Sequence, residues 1–208
     1  MIQTNYPVNK SLSDYEINLP EFWNNIYDQG NPAWGKAPAN VLEKFINYFP
    51  SQARVLDIGC GEGRNSVPLS KKGFNVHGID ISQSAINVAN SRKSSCQFTC
   101  ADIFHIELKE KFDVAIDFGL FHFVPPHLRQ TYLDKVFSFL NDGGVYCNQT
   151  GRLGERRIGS DEYTPPQFSK KEIEDSFNNY QVIIIDEDTL PSHGDYSAYP
   201  CWNIVLKK

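Results

Sequence analysis

No part of the 208-residue sequence restricts the fold more than Val55-Leu56-Asp57-Ile58-Gly59-Cys60-Gly61-Glu62-Gly63-Arg64-Asn65-Ser66. An apolar run closing on an acid, three glycines at alternate positions and a polar helix start read as a buried parallel strand turning sharply into a helix. Glycine is needed there because the backbone must bend and admit a ligand where a Cβ would collide. The spacing also limits the ligand. A dinucleotide fingerprint would put its third glycine where Arg64 stands; here that glycine is Gly63, and Asp57 lies two residues before Gly59. A carboxylate at the entrance repels a pyrophosphate and attracts a ligand that carries an ammonium and a sulfonium.

S-adenosylmethionine is such a ligand, and two downstream stretches support it. Asn75-Val76-His77-Gly78-Ile79-Asp80-Ile81-Ser82 reads as a second strand ending in Asp80, 19 residues past Gly61, where an α/β nucleotide fold places its ribose-binding acid. Asn65 to Lys72 fits the crossover helix between them. Phe98-Thr99-Cys100-Ala101-Asp102-Ile103 is a short strand closed by an acid able to accept from an adenine amino group.

This succession resembles the glycine motif and the two acid-tipped strands of the class I S-adenosylmethionine-dependent methyltransferases, from Arg54 to Gln149 at least. Gly59 to Ser66 with Lys72-Gly73-Phe74-Asn75-Val76 is similar to the tellurite-resistance (TehB-type) enzymes. Trp23 to Pro38, with Tyr27, Gly30, Pro32, Trp34 and Gly35, is similar to the front of thiopurine and plant thiol methyltransferases. The resemblance implies an α/β fold: a seven-stranded, mostly parallel sheet with helices on both faces, Rossmann-like, under an N-terminal helical lid. Residues 1–48 are then arm and lid of the same domain that residues 49–208 complete. It further implies cofactor binding by Asp57, Gly59, Cys60, Gly61, Gly63, Arg64, Asp80, Ile81, Asp102, Ile103 and Asp117, with Trp34 as a cover.

Along the chain, Met1 to Leu19 is polar and reads as a loose arm, followed by amphipathic helices over Pro20 to Asp28 and Ala39 to Tyr48. Ser82 to Ser91 is a helix capped by Ser82. Phe112 to Asp117 is a fourth strand, and the apolar loop Phe118 to Val124 must pack or line a pocket. A helix starts at Pro125-Pro126 and stops at Asn141-Asp142-Gly143-Gly144. Val145 to Gln149, Gln181 to Asp186 and Trp202 to Lys207 are strands, and Ser169 with Glu172 forms a capping box for Lys170 to Asn178. The last two strands have no helix between them, which suggests one reversed strand at a sheet edge.

Candidate acceptor-side residues are Tyr27, Trp34, Phe118, Phe121, His122, Arg152 and Tyr163, with Phe123, Tyr196 and Tyr199 as further aromatics. Trp34 either covers the cofactor and acceptor or plugs its own loop against the domain. Arg152, Arg156 and Arg157 either hold an anionic acceptor or answer neighbouring acids on a solvated loop. For an oxygen or nitrogen acceptor a base is required, and His122 beside Asp117 is the candidate pair; a histidine bonded to backbone is the plainer reading. Arg64 either pairs with the cofactor carboxylate or is an exposed helix-start charge.

A formal net charge of −5 argues against binding a phosphate backbone, so nucleic acid is not an expected partner. No run approaches the ~20 apolar residues of a membrane span, so no membrane partner is expected and the chain reads as cytoplasmic. Five cysteines without a C-x-x-C pair read as reduced thiols, and no metal set is formed. The expected partner is a small-molecule acceptor, with the chain a monomer or homodimer. A sensor that binds the cofactor without catalysis, and an oxidoreductase, are the competing readings.

Overall fold

The computed structural model describes residues 12–30, 35–153, 167–190 and 198–208. Seven strands form one sheet: β1 (Arg54–Ile58), β2 (Asn75–Asp80), β3 (Gln97–Cys100), β4 (Phe112–Phe118), β5 (Leu140–Gly151), β6 (Gln181–Leu190) and β7 (Tyr199–Lys207). Their order is β3-β2-β1-β4-β5-β7-β6. The first five are mutually parallel, and β7 runs antiparallel to both β5 and β6. The reversed strand expected at one edge therefore lies one position inside it, zipped between two neighbours.

The strand order turns back on itself between β1 and β4, and the crevice outside the carboxyl ends at such a reversal is where open α/β sheets bind ligands. Side-chain alternation sorts each strand between two cores. Val55, Val114, Ile116, Cys147 and Val205 join one with Leu42, Phe45 and Leu69. Leu56, Ala115, Tyr146, Ile204 and Leu206 join the other with Tyr132, Phe137 and Phe177. Both faces are thus buried under helices, which is why the central strands read as nearly continuous apolar runs.

The helices are α1 (Leu12–Asp28), α2 (Leu42–Ile46), α3 (Ser66–Lys71), α4 (Gln83–Ser91), α5 (Arg129–Phe139) and α6 (Lys170–Phe177). The Ser82 hydroxyl accepts from Ala85 N–H, and Ala85, Ile86 and Ala89 are buried, as the periodicity predicts. The capping box of Ser169 and Glu172 is formed in full. Several boundaries differ from expectation: α2 is shorter than the Ala39 to Tyr48 expected, and β6 and β7 are longer. α1 takes in Leu12 to Leu19, read from sequence as a loose arm, and tolerates Pro20 inside it. Pro126–Leu128 is a separate 3-10 turn ahead of α5. Asn141 to Gly144 belongs to β5 as an irregularity opposite Phe112–Val114, with Gly143 at φ +77, rather than ending a helix.

Candidate active site

At the end of β1 the chain reverses over Gly59, Cys60 and Gly61. Gly59 and Cys60 both donate backbone N–H to the Ile79 carbonyl, at 2.8 and 3.0 Å, which stitches the loop to β2, and Gly63 donates to the Cys60 carbonyl at 3.0 Å. Gly61 N–H donates to Asp80 Oδ2 at 2.8 Å, while Ser82 N–H donates to Oδ1 at 2.9 Å. Asp80 is therefore fixed beneath the loop by backbone amides on both oxygens. Burial pushes its carboxyl up to about 6 against the pull of those amides.

Gly59 and Gly61 have φ of +69 and +54. A Cβ on Gly59 would meet Leu120 Cδ1 at 2.9 Å, and one on Gly61 would meet Tyr27 Oη at 2.5 Å. The alternating glycines thus serve both the left-handed turn and two close approaches, one from the segment after β4 and one from α1.

Asp57 points the other way, toward α3, and accepts from Ser66 Oγ at 2.5 Å. Burial raises its pKa to about 7; Ser66 and the Arg64 charge oppose the rise, and Asp80 and Asp117 add to it. Arg64 Nη1 donates to the Ala37 carbonyl at 3.0 Å, and Asn65 Oδ1 accepts from Ala39 N–H at 2.8 Å. In this structure Arg64 is neither a free surface charge nor aimed solely at a ligand: with Asn65 it ties the front segment to the glycine loop.

α1 lies across the carboxyl edge. Asn24 Oδ1 accepts from Ser82 Oγ (2.8 Å) and Ser84 N–H (3.1 Å), so the helix is hooked to the start of α4 beside Asp80. One residue earlier on the same helix Trp23 meets Phe123 edge to face, centroids 5.0 Å apart. Tyr27 is buried over Gly61, and burial together with the Asp80 charge pushes its phenol well above its ordinary range. Trp34 and Tyr163 lie outside the described residues, as do Arg156, Arg157 and Tyr196.

The other residues expected on the cofactor side follow the ends of β1, β2 and β3. Cys60 is buried and its thiol is pushed up by burial. Ile81 is half-buried, and its carbonyl accepts from Cys100 Sγ. Ile103 is buried in the core. Asp102, two residues past β3, accepts from Phe104 N–H at 2.9 Å and meets His105 Nδ1 at 2.9 Å, so its carboxylate shapes its own turn.

On the β4 side the picture changes. Asp117 is 0% exposed, and its oxygens accept from Leu120 N–H (2.7 Å), Phe121 N–H (3.3 Å), Tyr132 Oη (2.6 Å) and Tyr146 Oη (2.9 Å). Four donors saturate it. The structure gives it the work of holding the turn after β4, not of taking a proton. Phe121 corrects the sequence expectation in the same way: fully buried, it packs on Phe168, Phe177 and Tyr132 and forms core rather than pocket wall. Phe118 is half-buried and faces Phe45 on the opposite side of the sheet.

His122 is 9% exposed, its Nδ1 finds no hydrogen-bond partner among the described residues, and burial lowers its pKa to about 3. The backbone bond expected for it at Nδ1 is not made. The ring stays neutral at physiological pH and is a weak base. Arg152, beyond the core of β5, stacks over Trp202 and reaches Glu187 at 3.3 Å, which supplies the anion that an acceptor was expected to bring.

These residues suit S-adenosylmethionine on two observations of the fold itself. The glycine loop turns through the left-handed region at Gly59 and Gly61, and two buried carboxylates whose pKa values burial raises toward neutrality flank it, ready to ionise against a cationic ligand. Asn24, Asn65 and Ser66 were not singled out from sequence. Ser66 carried a signal, a hydroxyl at a helix start nine residues past an acid; Asn24 carried none.

Residues 55–144 match the methyltransferase-domain family. The carboxy-S-adenosyl-L-methionine synthase of Campylobacter lari is 23% identical over 84% of this chain and 72% of its own length. Probable thiol methyltransferase 2 of Arabidopsis thaliana is 27% identical over 78% of this chain and 71% of its own. Matches of higher identity, such as 37% to a putative methyltransferase of Bacillus subtilis, span 73 residues and 28% of that relative. In fold, TehB from Haemophilus influenzae superposes with a TM-score of 0.69 at 18% identity, over 91% of this chain and 66% of TehB. Sheet order, glycine loop and family match agree: residues 55–144 match a methyltransferase domain within a class I methyltransferase fold, and the chain is an enzyme that uses S-adenosylmethionine.

Proposed function

We propose that the chain methylates a small-molecule acceptor whose attacking atom is soft, a thiol or related chalcogen, including aromatic ones. One observation carries this reading: among the described residues, the acceptor side of the cleft offers no side chain poised to take a proton near neutral pH. Asp117 is saturated by four donors, and His122 sits near 3. An oxygen or nitrogen nucleophile of high pKa needs a base within hydrogen-bond reach, whereas a thiol of low pKa arrives as its own anion.

S-adenosylmethionine, when bound, supplies an electrophilic methyl group. The chain's own residues supply position. Asp80 and the loop amides fix the ribose end, Asp57 places a negative charge near the ammonium, and α1 with Tyr27 closes over Gly61 to keep water out. The similarity to a thiol methyltransferase supports this choice of acceptor, and the net charge of −5 supports a small acceptor over nucleic acid. Cys60, Cys96, Cys100 and Cys147 form no disulfide, in keeping with a reducing, cytoplasmic setting. No described helix is long and apolar enough to cross a membrane, and no metal-binding group occurs among the described residues. We take the protein to act as a monomer or homodimer.

The test is a pH–rate profile over a series of thiols of graded pKa. On this reading kcat/KM follows each acceptor's own ionisation, and the shape of that profile is the same in His122→Gln. A profile governed by one fixed enzyme pKa, abolished by that variant, overturns it. Tight cofactor binding without product from any thiol, selenide, amine or phenol would favour the non-catalytic sensor.

A further inference from the structure

Buried polar atoms are hydrogen-bonded as a rule, so each one left without a partner asks what it is for. Among the described residues, four such atoms lie on β5, just past its end or on the turn packed against it: Asn148 Oδ1, Thr150 Oγ1, Arg152 Nε and His122 Nδ1. Asn148 and Thr150 occupy alternate positions of β5, so they share the face on which Tyr146 meets Asp117, and Arg152 follows just past the strand's end at Gly151. Asn148 is 0% and Thr150 1% exposed. The orientation of Asn148 is fixed: its Nδ2 donates to the Asp117 carbonyl (3.3 Å) and to Tyr146 Oη (3.0 Å), and a carbonyl can only accept, so Oδ1 is the atom left over.

We propose that Asn148 and Thr150, with the His122 turn against them, recognise the acceptor, and that the acceptor carries an N–H or O–H donor in addition to its nucleophilic atom. Nothing in the family match or the sequence reading singles these two residues out, and the proposal rests on the soft-acceptor reading only for the choice of probe. The chemistry of the row sets the ligand. Asn148 Oδ1 can only accept, so it calls for a donor on the ligand. The Thr150 hydroxyl and the neutral imidazole can play either part, and Arg152 Nε, at the outer end, donates. Arg152 already faces Glu187, so a neutral polar oxygen suits that end better than a second carboxylate. An apolar acceptor would leave every one of these atoms buried and unpaired, and sites built to bond a hydroxyl discriminate strongly against the analogue that lacks it.

The experiment compares 4-mercaptophenol with 4-methylthiophenol, matched in size and differing in one hydroxyl. Wild type is expected to favour the hydroxyl compound by roughly tenfold or more in kcat/KM. Thr150→Val removes a hydroxyl that no described residue bonds, so the variant should melt at the same temperature or higher while the preference falls at least about threefold. A purely structural role for Thr150 would instead lower the melting temperature and leave the ratio alone. A second readout needs no turnover: with S-adenosylhomocysteine present, 4-cresol should raise the melting temperature of wild type more than toluene does, and not that of Thr150→Val. Equal use of the two thiols, or a Thr150→Val enzyme that keeps the full preference, overturns the proposal. If neither thiol is methylated the soft-acceptor reading fails by itself, and the 4-cresol arm still decides the recognition set: stabilisation of wild type alone upholds it, and none refutes it.

Discussion

The ends of β1 and β2 and the ends of β4 and β5 share one sheet edge, yet they treat their buried polar groups in opposite ways. Around the glycine loop each acid has protein partners, Asp80 two amides and Asp57 a hydroxyl, and burial still holds both near neutrality. Around the turn after β4 the one acid is saturated and inert, while neutral donors and acceptors are left bare. The first arrangement suits a ligand that is always the same and always cationic. The second suits a ligand recognised by shape and hydrogen bonds, and leaves reactivity to that ligand. Charge readiness and hydrogen-bond vacancy are separate signatures, and a site search that looked only for shifted acids would find half of this cleft.

The comparison breaks most visibly at Asp117. If its role is to hold the turn, Asp117→Ala should cost roughly 2–4 kcal/mol of stability, read by urea unfolding, because it strands two buried tyrosine hydroxyls and two amides. A stable variant that lost only activity would move Asp117 into the chemistry. Next comes Asp80→Ala, expected to weaken S-adenosylmethionine binding about 10- to 100-fold by calorimetry, the range for a lost charge-assisted hydrogen bond. Asp117→Ala measured in the same way, where it folds, should change that affinity far less.

The pH dependence sharpens the contrast further. Asp57 and Asp80 have folded pKa values raised to about 7 and about 6, so the ligand-free fold binds protons more readily than the unfolded chain. Their contribution therefore favours the fold below about pH 4 and is lost as pH rises toward 7. A cationic ligand needs the ionised carboxylates, so its affinity should rise over the same window, by about tenfold between pH 5.5 and 7.5. A flat affinity profile would mean that neither acid meets the positive charge. The smallest effect is expected at the lid: Asn24→Ala removes two hydrogen bonds from α1 to the start of α4 and should speed cofactor release by about two- to fivefold in stopped-flow. An unchanged rate would mean that α1 does not gate the site.

Much of the cofactor half was legible in the sequence because its signals are local. The strand, the alternating glycines and the acid 19 residues on all report one continuous βα unit, and the Ser82 and Ser169 caps follow from three-residue spacings. The acceptor half was not, because its logic is made by pairing across the sheet. Phe118 to Phe123 reads as one apolar loop; only the packing of α5 and α6 decides that Phe121 is core while Phe118 faces Phe45. Asn148 and Thr150 look like the polar fringe at the end of a strand until β7 pairs beside them and buries both. Asn24 sits in a polar stretch whose partner lies 58 residues away.

The insertion of β7 between β5 and β6 has a consequence for how the chain is made. Among the described strands β6 bonds only to β7, so until Tyr199–Lys207 is in place β6 has no neighbour on the sheet and β5 shows an open edge. Two rows of unpaired amides then wait together, the condition in which partly folded chains stick to one another. A chain cut between Leu190 and Tyr199 should therefore keep a far edge prone to cross-pairing with another copy.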